Sequence, residues 1–184
     1  MRQSPTKQGG GSVAIPGIIQ VDVTDEPTRE LGMIREKSAG LIQTPVISAA
    51  AIYAAGDNVG GLLEFAAAAL FATGGGILKD VTIVDDDSES AELELWLFNQ
   101  TFTPGADNAL WTPVEAELHN LLTILSTANG TYFTAGVTGT VCVIEASRSF
   151  ALAGTSIFGR LVTRGTPTYT AIDDVSVIMN MLQD

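Results

Sequence analysis

The run DDDSES, Asp85 to Ser90, sets Asp85, Asp87 and Glu89 at alternate positions, the spacing with which a calcium loop begins. The match then stops, because Ser90 stands where the loop needs glycine at its sixth position and Trp96 where it needs an acid at its twelfth. A hairpin tip whose charges block edge pairing explains the run better and leaves room for no more than a weak, incidental cation. His119 is the only histidine and Cys142 the only cysteine, so a zinc set of three or four ligands cannot be assembled from the side chains zinc prefers. GTSIFG, Gly154 to Gly159, misses the G-x-S-x-G nucleophile elbow by one position, and His119 would have to serve as the only base. TGGG at Thr73 to Gly76 lacks the Lys and the Ser or Thr of a phosphate loop and reads as a tight connection between strands. The expectation is therefore no catalytic residue, no metal and no cofactor, in a chain that is not an enzyme.

Aromatic groups offer a different chemistry. Trp96, Trp111, Tyr132 and Tyr169 on a sheet scaffold could form a stacking surface for sugars, which makes a carbohydrate- or receptor-binding module the alternative function. Trp96, however, belongs to AELELWLF, where Leu93, Leu95 and Leu97 take one face and Glu92, Glu94, Trp96 and Phe98 the other. That alternation marks a half-buried antiparallel strand. Its mixed second face suits a subunit contact better than a dry core, so Trp96 and Phe98 are expected at an oligomer interface.

The elements that would position these groups are mostly strands. Besides AELELWLF, strands are expected at Pro45 to Tyr53, Gly61 to Phe71, Ile77 to Val84, Thr138 to Glu145, Ser156 to Arg164 and Val175 to Leu182, separated by Gly, Asp and Asn clusters. Cys142 alternates with valines in one of them and reads as a small core hydrophobe. One helix stands out, over about 113–127. Thr112 would be its N-cap, Pro113 its first residue and Glu115 its capping-box acid, with Val114, Leu118, Leu121, Leu122 and Leu125 on one stripe and Asn129 and Gly130 as its end. A buried strand at LLTIL is the weaker alternative because it ignores the cap. The fold class expected is all-β: an antiparallel β-sandwich, jelly-roll-like, with one inserted α-helix.

Residues 1–40 do not share this pattern. Gly9, Gly10, Gly11, Pro16 and Gly17 break every period, yet Val13, Ile15, Ile18, Ile19 and Val21 are too apolar for an inert tether. Such a segment cannot build a core of its own and gains order from a surface outside its domain. It is read as an extended N-terminal arm, 1–40, on a sandwich body, 41–184, and those five apolar residues are expected to bind the partner.

Charge sorts the partners. The 184-residue chain carries 21 acids against 9 bases, a formal charge of -12. Arg2, Lys7, Arg29, Arg35 and Lys37 balance the five acids of the arm, so the body holds the whole imbalance. Affinity for nucleic acid comes chiefly from Lys and Arg neutralising phosphates, so nucleic acid is not an expected partner. The FAAAALFA run is far short of the ~20 residues of a membrane crossing, and Arg2 and Lys7 lead into glycines and prolines rather than a signal-peptide core. A protein made in a cytoplasm is expected, and the sequons at Asn99 and Asn129 are read as chance.

Four stretches resemble a set of small tailed-phage virion proteins: SAAAIYAAGDNVGGLLEFAAAA (Ser48 to Ala69), GILKDVTIVD (Gly76 to Asp85), LWLFNQTFTPGADNALWTP (Leu95 to Pro113) and IFGRLVTRGTPTYTAIDDVSVIMNML (Ile157 to Leu182). Several of that set look like capsid decoration, or cement, proteins with jelly-roll-like sandwiches. The resemblance implies a structural virion protein on the outside of a phage head, bridging subunits of the major capsid protein, and it implies a homotrimer. A Gly- and Pro-broken apolar arm suits such a role, since it can add strands to exposed edges or fill pockets between shell subunits.

Overall fold

The computed structural model describes residues 37–136 and 139–184. The arm residues Val13, Ile15, Ile18, Ile19 and Val21 lie outside the described residues. Among the described residues nine strands follow in order: β1 Lys37–Gln43, β2 Asn58–Phe65, β3 Gly75–Asp85, β4 Leu93–Phe98, β5 Leu121–Ser126, β6 Tyr132–Ala135, β7 Gly139–Ala151, β8 Ile157–Thr163 and β9 Val175–Gln183. They form two antiparallel sheets, β1-β9-β3-β7-β6 and β2-β8-β4-β5. With β6 set aside as an added hairpin on β7, the orders β1-β9-β3-β7 and β2-β8-β4-β5 are those of a jelly roll, two interleaved Greek keys in which only β4 and β5 follow one another within a sheet.

Alternation places the core. In β9, Val175, Val177, Met179 and Met181 point inward, in β3 Val81 and Ile83, and in β4 Leu93, Leu95 and Leu97, all of them buried. Gly159 in β8 lies between Phe65 and Leu97, where an added Cβ would stand 3.2 and 3.3 Å from their side chains, so the smallest residue admits two large neighbours. Gly76, the second residue of β3, lies so close to the Leu182 carbonyl that a Cβ would stand 2.1 Å from it, which fixes glycine there.

The expected helix over about 113–127 is corrected. The helix is a single turn, α1, Glu115–Leu118, with Val114 rather than Thr112 at its N-cap and Glu117 rather than Glu115 supplying the acid. The chain then becomes β5, which pairs with β4 through Leu95 to Leu125 and Trp96 to Ile124. An unpaired β4 edge would leave a row of backbone groups without partners, and satisfying that row outweighs the helical period of the sequence. Val114 and Leu118, meant for the buried stripe, are instead 57% and 42% exposed.

Three boundaries also move. Lys37 to Gly40, assigned to the arm, belong to β1, which pairs with β9 while Ala39 and Leu41 pack against the core. Pro45 to Tyr53 forms no strand: it touches 165–172 through Ile47, Ala50 and Tyr53 N–H bonds to Ile172, Tyr169 and Pro167. Ala50, at φ 57, turns the backbone away from an extended ladder. The strand expected over Gly61 to Phe71 ends at Phe65, where Ala67 adopts φ 57.

Candidate functional site

The acidic run is not a hairpin tip. Asp85 ends β3 in one sheet, and residues 86–92 cross to β4 in the other. Asp85 is fully buried, and its carboxylate accepts hydrogen bonds from the N–H groups of Asp87 (3.1 Å) and Ser90 (2.7 Å). Burial raises its pKa above the usual carboxylate range, against the lowering effect of these bonds. Asp87 turns elsewhere and accepts from Thr170, both N–H and hydroxyl, at 2.9 and 3.2 Å. Each carboxylate thus fastens a loop backbone, and among the described residues no three His, Cys, Asp or Glu side chains gather as a metal site.

The other singled-out residues are also dispersed. His119 caps the end of α1 on the surface. Cys142 is buried in the core, its thiol pushed up by desolvation. Tyr169 is buried edge-on to Tyr53 at 5.9 Å, and Tyr132 donates to the Ala91 carbonyl at 2.7 Å, its hydroxyl pushed up to about 12 by burial. Neither joins the tryptophans in one surface.

The richest constellation lies on the outer face of the four-stranded sheet, beneath residues 99–120. Phe98 packs on Phe102 (4.5 Å), Phe102 on Trp111 (5.6 Å) and Trp111 on Trp96 (6.3 Å), mostly edge to face. Phe98 is fully buried within its own chain, so its assignment to an oligomer interface is corrected: the returning loop takes the place a second subunit was expected to fill. Trp96 is half-buried, and its indole N–H donates to Glu94 at 3.0 Å.

Beneath Trp111 lies Arg160, fully buried, its guanidinium carbon 5.7 Å from the ring centre. Nε donates to Asn58 Oδ1 at 2.7 Å and one Nη donates to the Gly105 carbonyl, while Asn58 Nδ2 holds the carbonyls of Ala106 (3.1 Å) and Ala109 (2.8 Å). Asp107 accepts from Tyr53 hydroxyl and from the N–H groups of Ser48 (2.7 Å) and Gly60 (2.5 Å), tying the same loop to the β1–β2 connection. Desolvation brings the Arg160 pKa down to about 10, still charged at neutral pH. Sequence reading overlooked this group; its one signal is a lone cation inside the apolar run IFGRLVT.

Above this floor Thr103, Pro104, Gly105, Trp111, Thr112, Val114 and Glu117 line an open cleft of ≈ 350 Å³. The Glu117 carboxylate is engaged by the N–H groups of Thr103 (3.0 Å) and Val114 (3.1 Å). The cleft offers an indole wall and two threonine side chains. No helix among the described residues is long and apolar enough to cross a membrane. Comparison of the chain with protein-family models, with curated proteins and with solved structures finds no match.

Proposed function

We propose that the chain is a structural virion protein, a decoration protein that sits on the outside of a phage head and bridges major capsid protein subunits. The observation that carries the reading is the strand order: β1-β9-β3-β7 over β2-β8-β4-β5 is the double Greek key found in viral capsid and lectin domains. Fold alone does not define function. The resemblance of the four quoted stretches and the composition of the arm add to the support. The acidic loops fit a component that stays soluble beside packaged nucleic acid. Residues 1–36 are the proposed shell-binding segment, with Val13, Ile15, Ile18, Ile19 and Val21 as its anchors, since β1 already belongs to the body. Several arms on one assembly raise the effective concentration of each, so weak contacts hold together.

The test is co-sedimentation with phage heads assembled from a major capsid protein of the same source as the chain. The full chain is expected to pellet with the heads and a chain lacking 1–36 to remain in the supernatant while keeping its far-ultraviolet spectrum. Equal binding by both chains rules out the arm, and no binding by either rules out the decoration role.

The cleft beside Trp111 favours a second reading, a glycan- or receptor-binding module on a virion. A glycan array in which binding is abolished by Trp111→Ala would support it over the cement role, and an array without hits removes it.

A further inference from the structure

Two neighbouring residues hold buried donors without acceptors. Arg160 is fully buried and gives Nε to Asn58 and one Nη to the Gly105 carbonyl, while its remaining nitrogen, Nη1, has no partner among the described residues. The indole Nε1 of Trp111 is likewise buried and unpartnered, on a ring whose centre is 5.7 Å from the guanidinium carbon. Among the described residues these are the only buried side-chain nitrogens without a partner, and both fall in one contact. A donor removed from water with no acceptor costs stability, and native interiors keep few of them.

Both donors adjoin the open cleft. Trp111 lines it, and Arg160 is joined to it through Gly105, which lines the cleft and accepts from the guanidinium. The place of a Cβ on Gly105 is 3.4 Å from that Arg160 Nη and 2.6 Å from Asn58 Nδ2, so the wall shared by cleft and guanidinium is a bare backbone. We propose that the cleft binds an uncharged sugar, its ring against the Trp111 indole and one of its oxygens accepting from Trp111 Nε1 and Arg160 Nη1. The proposal rests on the second of the two readings above and names the class of ligand for it.

Shape and charge select that class. A volume of ≈ 350 Å³ is at the small end of ligand sites and suits a mono- or disaccharide. A sugar ring presents an apolar C–H face to the indole and oxygens at its rim, which matches an aromatic wall with donors at its edge. An acidic sugar does not fit: Glu117 lies in the lining and the field of Asp107 already acts on Arg160, so one cation faces two carboxylates on a chain of formal charge -12. A neutral oxygen satisfies the donors without adding to that excess. Folding has already stripped water from both donors, so an arriving oxygen displaces none of theirs. Its entry is past Gly105, where the lack of a side chain leaves the least to move.

A glycan array probed with the full chain, followed by titration calorimetry on its strongest hit, decides the matter. The strongest hit is expected to be neutral and to shift the Trp111 indole N–H resonance, with the matching uronic acid bound about tenfold more weakly. Trp111→Phe keeps a ring on the wall and removes the N–H, and Arg160→Met removes Nη1 while filling most of its space. Each is expected to weaken binding about tenfold, the worth of one such hydrogen bond. Trp111→Phe carries the test even if Arg160→Met fails to fold. An array without hits overturns both this proposal and the reading beneath it. A strongest hit that is acidic, or a neutral hit that either folded variant binds as tightly as the wild type, overturns this proposal and leaves that reading standing.

Discussion

Arg160 concentrates several demands in one side chain. Its guanidinium is withdrawn from water, a costly state for a charge, and is compensated by Asn58, the Gly105 carbonyl and the Trp111 ring rather than by an ion pair among the described residues. Arg160→Ala leaves the Asn58 oxygen and the Gly105 carbonyl without their donors and opens a void beneath Trp111. The expected loss is about 3 kcal/mol in urea unfolding. Arg160→Met fills most of that void and removes the buried charge, so it should fall closer to the wild type, as apolar replacements of buried charged groups often do. If the two variants lose the same stability, packing is not what separates them, and the void argument fails. Phe98 teaches the complementary lesson. Alternation correctly placed it on the face opposite Leu97, but nothing within six residues of β4 announces that Phe102 and Trp111 return to cover that face.

The segment from Thr112 to Ser126 shows where local signals lose to pairing. Its capping residues and apolar stripe describe a helix of several turns, and one turn of it survives as α1 because Glu117 accepts from two backbone N–H groups there. Past His119 the backbone of β4 offers a ladder, and Leu121–Ser126 takes it. Strands whose own faces alternate, such as β4, β7 and β9, were legible because the period of two is written in the residues themselves. The β1 strand was not, because KSAGLIQ carries too few apolar residues to mark a face and is a strand by virtue of β9 beside it. The candidate site was less legible still: Trp96 and Trp111 were singled out, whereas Asn58, Asp107 and Arg160 meet only through tertiary folding. Glu117→Ala removes the side-chain acceptor of two backbone N–H groups at once. It should cost about 1–2 kcal/mol and loosen residues 99–120 selectively. Hydrogen exchange checks this, with faster exchange expected at Thr103 and Val114 and little change in β9.

The acidic balance of the chain is not evenly borne, and two carboxylates of opposite character make this measurable. Burial raises the folded-state pKa of Asp85, so between its ordinary value and the raised one the folded protein holds a proton that the unfolded chain has released. Stability from this group therefore falls as pH rises through that window and is level above it. Glu94 has the opposite sign: hydrogen bonding to Arg164, at 2.6 Å, with help from the Trp96 indole, lowers its pKa despite some desolvation. Its contribution is present above the ordinary Glu range and is lost as pH falls through the lowered value. Subtracting the urea-unfolding free energy of Asp85→Asn from that of the wild type should give a curve that declines with pH just above the normal carboxylate range. The same difference for Glu94→Gln should climb with pH at the acid end. If the Asp85 difference also climbs, its bonds to Asp87 and Ser90 outweigh its burial, and the connection between the sheets is held by the ionised carboxylate rather than strained by it.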